Sequence, residues 1–355
     1  MPGSRMCSAT RRPGESPIKR FGRAAMRRAK KFLGVLCVAT VSSALAGCGG
    51  DIVSEVGGSS DCTPSEEKVI GWDWPLSSLE IYKPFNEKVS QIATERGYRT
   101  VTTTNDGDLQ QQVSDLEAWV AQGLSAVGTY ALEPSAIEPI GRRALDNCVG
   151  FVSYGTNLKN QDAAVQFAWD RSGAELGINA REWARAHGGP LKALVLHDRD
   201  ITAGKERDDA LMAEFPGAAS NVEIVSHQRA VDTASGESVT STVLQAHPDL
   251  NMVLAYNDDV AIGARQAFIN AGFAPNDPNV YIGGQDGSPS ALRLLQQDGI
   301  FRASSAVNFG DLTSTVANTI VDVAEGIEPE YGPLDFSVLT SADPDQVAEF
   351  LAAYN

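Results

Sequence analysis

The sequence predicts an α/β protein built as two doubly wound parallel-sheet lobes. Three observations predict this. From residue 68 onward, short β-branched or apolar runs alternate with amphipathic stretches, the pattern of repeated βα units with parallel strands and right-handed crossovers. Roughly four to five such units fall on each side of residue 170, which gives two similar halves. About 300 residues remain once an N-terminal targeting segment is set aside, more than one hydrophobic core comfortably supports.

Residues 1–47 read as an address. Arg27, Arg28, Lys30 and Lys31 precede an apolar run over 32–45 that closes in Leu45-Ala46-Gly47-Cys48. Positive, apolar, then small residues before a cleavage site is the order of a secretory signal, and the apolar run is too short to span a bilayer. The triplet before Cys48 resembles the lipobox of bacterial lipoproteins, so Cys48 is expected to be lipidated, with Met26 a more compact start than Met1. The expected location is the cell envelope, with membrane attachment through that lipid alone. Residues 48–66, rich in Gly, Ser, Asp and Glu and lacking an apolar period, read as a flexible tether.

Removing 1–47 takes 10 basic and 1 acidic residue from totals of 29 and 45, leaving 19 basic and 44 acidic. That excess of negative charge repels nucleic-acid phosphates and anionic headgroups, and no basic patch interleaved with aromatics survives, so no nucleic-acid partner is expected. Beyond Cys48 the processed chain keeps Cys62 and Cys148, a pair that exported surroundings allow to form a disulfide or to stay as free thiols.

Strands are predicted in the first half over 69–74, 98–104, 126–130 and 149–154. Between the first two, Leu79, Tyr82, Phe85, Val89 and Ile92 recur at steps of three and four, as one buried helix face requires. Further helices are predicted near 109–121 and 134–145. After residue 170 come a helix near 172–187, strand 191–196, helix 205–215, strand 222–226, helix 237–246 and strand 252–255. Helix 260–271, strand 280–282, helix 289–297, strand 301–306 and helix 312–325 complete the series. Three hinge crossings between the lobes are expected near Asp170, near Asn308 and over 331–340. The first lobe is then 67–170 with 309–332, and the second 171–308 with 333–355.

Ligands of doubly wound sheets gather at the carboxyl ends of the strands. Those ends carry Trp72-Asp73-Trp74, Tyr130, Tyr154, Trp169-Asp170, Asn257-Asp258, Gln285-Asp286 and Asn308. Rings that stack on C–H faces, with amides and carboxylates that take hydroxyls in pairs, suit a small polar ligand, in the first place a sugar. Each has a plainer role open to it. Trp72 and Trp74 share one strand face and fit a core, Tyr130 and Tyr154 fit as strand caps, and Asp258 fits as a helix N-cap.

Several motifs together resemble one family: Ala93-x-x-x-Gly97-Tyr98, Gln112-x-x-x-Leu116, Gln122-Gly123-Leu124-x-Ala126 and Lys205-Glu206-Arg207. Leu244-Gln245-Ala246-His247-Pro248-Asp249-Leu250, Tyr256-Asn257-Asp258-Asp259-x-Ala261-x-Gly263-Ala264 and Ile282-Gly283-x-x-Asp286-Gly287-Ser288-Pro289 continue the set. Over about 66–326 the chain resembles type I periplasmic sugar-binding proteins of the ribose-binding kind, the receptors of ABC importers. The resemblance implies that Asn257 and Asp286 bind sugar hydroxyls, that Tyr82 stacks on the ligand, and that Lys205 takes the place of an arginine. Asn308 stands where the family often has a glutamine. A permease and an ATPase are the implied partners. The family's Asp-Arg pair after the fourth strand is absent, since the chain reads Ser153-Tyr154-Gly155-Thr156, so the pentose pattern is broken.

The ligand positions expected from sequence are therefore Asp73, Trp74, Tyr82, Tyr130, Tyr154, Asp170, Lys205, Asn257, Asp286 and Asn308. No cofactor, metal site or catalytic residue is expected. There is no Gly-x-Ser-x-Gly elbow, Walker loop, His-Glu-x-x-His helix or dinucleotide glycine fingerprint, and the four histidines are scattered over different elements. The competing reading of another class is a sensing receptor that presents bound sugar or autoinducer to a membrane kinase or chemoreceptor.

Overall fold

The computed structural model describes residues 65, 67–215 and 221–354; Cys48, Cys62, the leader and most of the tether lie outside the described residues. Cys148 is disulfide-bonded.

The first half runs β1 (Val69–Trp74), α1 (Tyr82–Glu95), β2 (Arg99–Thr104), α2 (Leu109–Gln122), β3 (Ala126–Thr129), α3 (Pro134–Asp146), β4 (Gly150–Tyr154) and β5 (Ala163–Val165). The second runs α4 (Trp169–His187), β6 (Leu191–His197), α5 (Thr202–Glu214), β7 (Val222–Arg229), α6 (Thr233–Ala246), β8 (Met252–Ala255), α7 (Asp258–Asn270), β9 (Tyr281–Asp286), α8 (Pro289–Leu295) and β10 (Phe301–Ala306). It is followed by α9 (Phe309–Ala324), β11 (Ser337–Thr340) and α10 (Pro344–Ala352).

Two sheets result. The first has the order β2-β1-β3-β4-β5 and is parallel throughout, with Ile70 opposite Thr100 and Ala126. The second has the order β11-β10-β9-β8-β6-β7 and is parallel except for the edge strand β11. Both are doubly wound sheets with apolar clusters on each face. Ile70, Trp72, Phe85 and Ile320 pack on one face of the first sheet, and Val127, Ile137 and Phe151 on the other. The second sheet is filled by Leu194, Val253 and Phe268 on one side and Leu176, Leu254 and Tyr281 on the other. Strands buried on both faces are apolar along their length, as Met252–Ala255 is, and the one polar side chain of Ala126–Thr129, that of Thr129, is hydrogen-bonded to Asp73.

The chain passes between the sheets three times: from β5 into α4, from β10 into α9, which returns to the first sheet, and from α9 to β11. Two of these segments pair directly. Ala168 N donates to Leu334 O at 3.0 Å and Leu334 N to Gln166 O at 2.8 Å. Two crossings thus form one short parallel ribbon at the hinge.

The predicted elements differ from the observed ones mainly at helix starts. Helices α4, α5, α6, α7 and α9 each begin two to four residues earlier than expected. The first turns of α5, α6 and α7 open on polar or small residues, so an apolar period cannot mark them, and in α6 and α7 side-chain caps set the start. Asp232 accepts from Ser235 N at 2.8 Å and Asn257 from Val260 N at 2.8 Å. The short strand β5 and helix α10 were not expected at all.

Helices α4 and α5 cross at Gly173, where a Cβ would collide with the Arg207 carbonyl oxygen. Gly173→Ala is therefore expected to push the helices apart and destabilise the fold by about 2–4 kcal/mol. Urea denaturation measures this, and a change below about 0.5 kcal/mol would show that the crossing tolerates separation.

Candidate functional site

Parallel sheets place every loop that follows a strand at the same edge, and the two lobes turn those edges toward each other. A cavity of about 400 Å³ lies between them. That is within the range of small-molecule sites, about 300–1,000 Å³.

Its wall in the first lobe is aromatic. Tyr82 and Phe85 come from α1, and Tyr130 and Tyr154 follow β3 and end β4. Trp72 lies behind them, fully buried and stacked on Tyr154 with ring centroids 4.8 Å apart. The plainer reading of Trp72, as core, is the one the structure shows. Burial holds the phenols of Tyr82 and Tyr154 well above their ordinary range and pushes Tyr130 up to about 12. All three stay neutral near pH 7 and can donate as well as accept. The Tyr154 hydroxyl already donates to the Asp73 carbonyl at 3.1 Å.

The polar groups come from the second lobe. Asn257 ends the β8 turn as the N-cap of α7; its Oδ1 accepts from Val260 N, which leaves its amide N–H donors for another partner. Asp286 closes β9 at φ 116°, a conformation costly for a residue with a Cβ. Its carboxylate meets the Arg207 guanidinium at 2.6 Å. Burial raises the Asp286 carboxyl above the ordinary range, while the Arg207 charge opposes that rise. Asp258 takes no part in capping. Fully buried, it accepts from Ser288 N at 2.7 Å and from Ser304 Oγ at 2.8 Å, tying α7 to the turn after β9.

Arg207 is the centre of the arrangement. It donates to the Tyr256 carbonyl at 2.8 Å as well as to Asp286. The guanidinium lies 4.6 Å from the ring centroid of Trp169 and 5.4 Å from that of Phe336, rings carried by two of the crossing segments. Phe167 stacks on Trp169 at 4.4 Å, extending the aromatic floor along the hinge ribbon. Arg207 Nε is buried and has no hydrogen-bond partner among the described residues.

Of the ten ligand positions expected from sequence, Tyr82, Tyr130, Tyr154, Asn257 and Asp286 lie on the cavity wall. The other five lie elsewhere, each for a physical reason. The Asp73 carboxylate turns into the first lobe, where Asn105, Gln112 and Thr129 donate to it at 2.9, 2.7 and 2.6 Å. Burial pushes it up to about 6 against the pull of those three donors. Trp74 packs on the first core beside the cavity. Asp170 is exposed in the first turn of α4, where it favours the positive end of the helix dipole. Lys205 points outward and pairs with Asp209 one turn along α5. Asn308 is the N-cap of α9, accepting from Gly310 N at 2.9 Å and Asp311 N at 3.1 Å.

Sequence reasoning passed over Trp169 and Arg207. In the dipeptide Trp169-Asp170 the ring, not the carboxylate, faces the cavity. For Arg207 a signal was present: Ala203, Gly204, Arg207, Asp208 and Leu211 are the buried face of α5, and Lys205 falls off that face. Among the described residues no group of three or more His, Cys, Asp or Glu side chains is placed to hold a metal ion.

Residues 70–328 match the family model of the periplasmic binding protein domain. The chain belongs to that family. Its two parallel-sheet lobes and triple crossing are the type I form of the fold. Among characterised relatives, it is similar to the ribose import binding protein of Bacillus subtilis, 26% identical over 240 residues that make up 62% of this chain and 72% of that protein. The galactofuranose-binding protein of Escherichia coli is 25% identical over 298 residues, 76% of this chain and 91% of that protein. Among solved structures, a solute-binding protein of an ABC transporter from Bacillus halodurans with bound myo-inositol superposes with a TM-score of 0.71 at 18% identity. The match covers 81% of this chain and 98% of that one. Likeness at that level of identity speaks for the fold of this binding protein and not for its ligand.

Proposed function

We propose that this binding protein is the exported receptor of an ABC importer, anchored through a lipidated Cys48, which captures one small neutral polyhydroxylated ring, a sugar or cyclic polyol. Closure of the two lobes about the hinge ribbon traps the ligand. The observation that carries this reading is the guanidinium–carboxylate pair of Arg207 and Asp286, facing rings of the first lobe across a gap of about 400 Å³. Both cations on the wall are paired, Arg207 with Asp286 and Arg229 with Asp198, so neither is free to hold an anion and the site favours a neutral ligand. Planar donors and acceptors then take adjacent hydroxyls, and Tyr82, Tyr130 and Trp169 cover C–H faces. A ligand that touches both lobes binds only the closed form well and shifts the population toward it. The relatives bind ribose, galactofuranose and D-apiose according to their names, which supports the class.

A thermal-shift screen against D-ribose, D-allose, D-apiose, L-arabinose, galactofuranose and myo-inositol tests this. A ligand that binds only the folded chain, at a thousandfold excess over its Kd, is expected to raise Tm by roughly 8 °C or more. Asn257→Ala and Asp286→Ala are expected to abolish the shift. A flat response to every compound would overturn the sugar reading, and a full shift in both variants would overturn the placement of the site.

A further inference from the structure

The segment between β1 and α1 joins the lobes at a point the ligand site does not explain. Glu80 lies on it, in the first lobe, half-buried at the cavity mouth. Its carboxylate accepts from Ser290 N at 2.8 Å and from Ser290 Oγ at 3.0 Å, with Arg293 Nη1 3.8 Å away. Both partners sit on α8, in the second lobe. One residue of the first lobe thus holds the start of a helix of the second.

The local sequence of α8 leaves that position open. Ser288 is the N-cap and its Oγ accepts from Ala291 N at 3.3 Å, while Pro289 has no N–H to satisfy. The Ser290 N–H is the donor the helix cannot pair for itself. Glu80 supplies the acceptor, and does so from the opposite lobe. On the first-lobe side the segment is fixed at its root: Gly107 N donates to Pro75 O at 2.9 Å and Ser77 N to Asp106 Oδ1 at 2.7 Å. Between root and tip, Leu76, Ser78, Leu79, Ile81 and Tyr82 line the cavity.

We propose that Glu80 is a latch residue: its paired contacts with Ser290 lock the lobes together across the cleft mouth and set the 76–82 segment over the cavity. The contacts involve protein groups alone, so the latch acts without ligand. It biases the empty protein toward the closed form and slows release of whatever is bound. Glu80 is a positioning residue, since its carboxylate is turned to α8 and not to the cavity.

The test needs no ligand. The full chain carries spin labels at Arg142→Cys on α3 and Gln266→Cys on α7, both exposed, and the interlobe distance distribution is read by pulsed electron resonance. The unliganded parent is expected to show a short-distance population. Glu80→Lys and Ser290→Asp should each lower the ratio of short to long populations at least tenfold, the first by placing an ammonium on the helix N-terminus, the second by opposing two carboxylates. Glu80→Gln retains an acceptor and a donor for Ser290 and should stay near the parent. The double variant Glu80→Lys/Ser290→Asp restores opposite charges and should recover most of the short population. A parent without a short-distance population, single variants matching the parent, or a double variant as open as the singles would each overturn the latch. These readings are independent of which compound the cavity takes, so failure of the ligand screen leaves them standing.

Discussion

Arg207→Ala is expected to lower folding stability by about 3–5 kcal/mol and to weaken ligand binding by about a hundredfold or more. The guanidinium is nearly inaccessible, with 4% of its side chain exposed, and Asp286 beside it has 19%. Removing the cation leaves the Asp286 carboxylate half-desolvated at a strained backbone position, the Tyr256 carbonyl without its donor, and a hole between the rings of Trp169 and Phe336. Each loss falls on the wall of the cavity, so stability and affinity should fail together. Arg207→Lys discriminates further. An ammonium keeps the charge opposite Asp286 but cannot serve Tyr256 O, Asp286 and a ligand with one planar fork. It should recover most of the stability and little of the affinity. Urea denaturation and titration calorimetry with the compound that raises Tm give the two values. Full affinity in the lysine variant would mean that the ligand does not use the fork.

The opposite pattern is expected at Asp73. Asp73→Ala should destabilise the fold by about 3–5 kcal/mol while affinity, measured where the variant is still folded, changes less than about threefold. The carboxylate is fully buried and receives donors from three elements: Asn105 beyond β2, Gln112 on α2 and Thr129 on β3. Gln112 passes the network on, donating to the Tyr130 carbonyl at 2.7 Å and accepting from Leu132 N at 3.1 Å. Asp73 therefore shapes the loop that presents Tyr130 without itself reaching the cavity. Removing it strands buried donors, which costs more than the net worth of the bonds. Lost affinity with unchanged stability would return Asp73 to the ligand site, where the sequence alone had placed it.

Arg207 and Asp73 mark where reading from sequence stops. Strand ends could be located because alternation of apolar runs and helical periods is a local property, and the family motifs around Asn257 and Asp286 added the loops that follow β8 and β9. That is why those two residues, with Tyr130 and Tyr154, were expected where the cavity wall lies. The choice within a dipeptide was not legible. Trp169 and Asp170 are neighbours, yet helix α4 begins at Trp169 and turns only the ring inward. Lys205 and Arg207 were separable only by the helical phase of α5, which depends on where that helix starts. Its start was misplaced because residues 202–204 carry no apolar period and Ile201 offers no side-chain cap.

The sequence by itself determined the fold class, the repeated βα units, the halves on either side of residue 170 and the edge on which chemistry would collect. These follow from short-range periodicity and the handedness of parallel crossovers, which need no knowledge of distant contacts. Only the tertiary structure decided which side chains meet. Asp73 turned inward because donors from three elements converge on it. Arg207 became the hub because rings from two crossing segments close around it. Glu80 found Ser290, 210 residues away, because the lobes face each other. Such pairings depend on the direction of a side chain in three dimensions, and a one-dimensional pattern fixes only which element carries it.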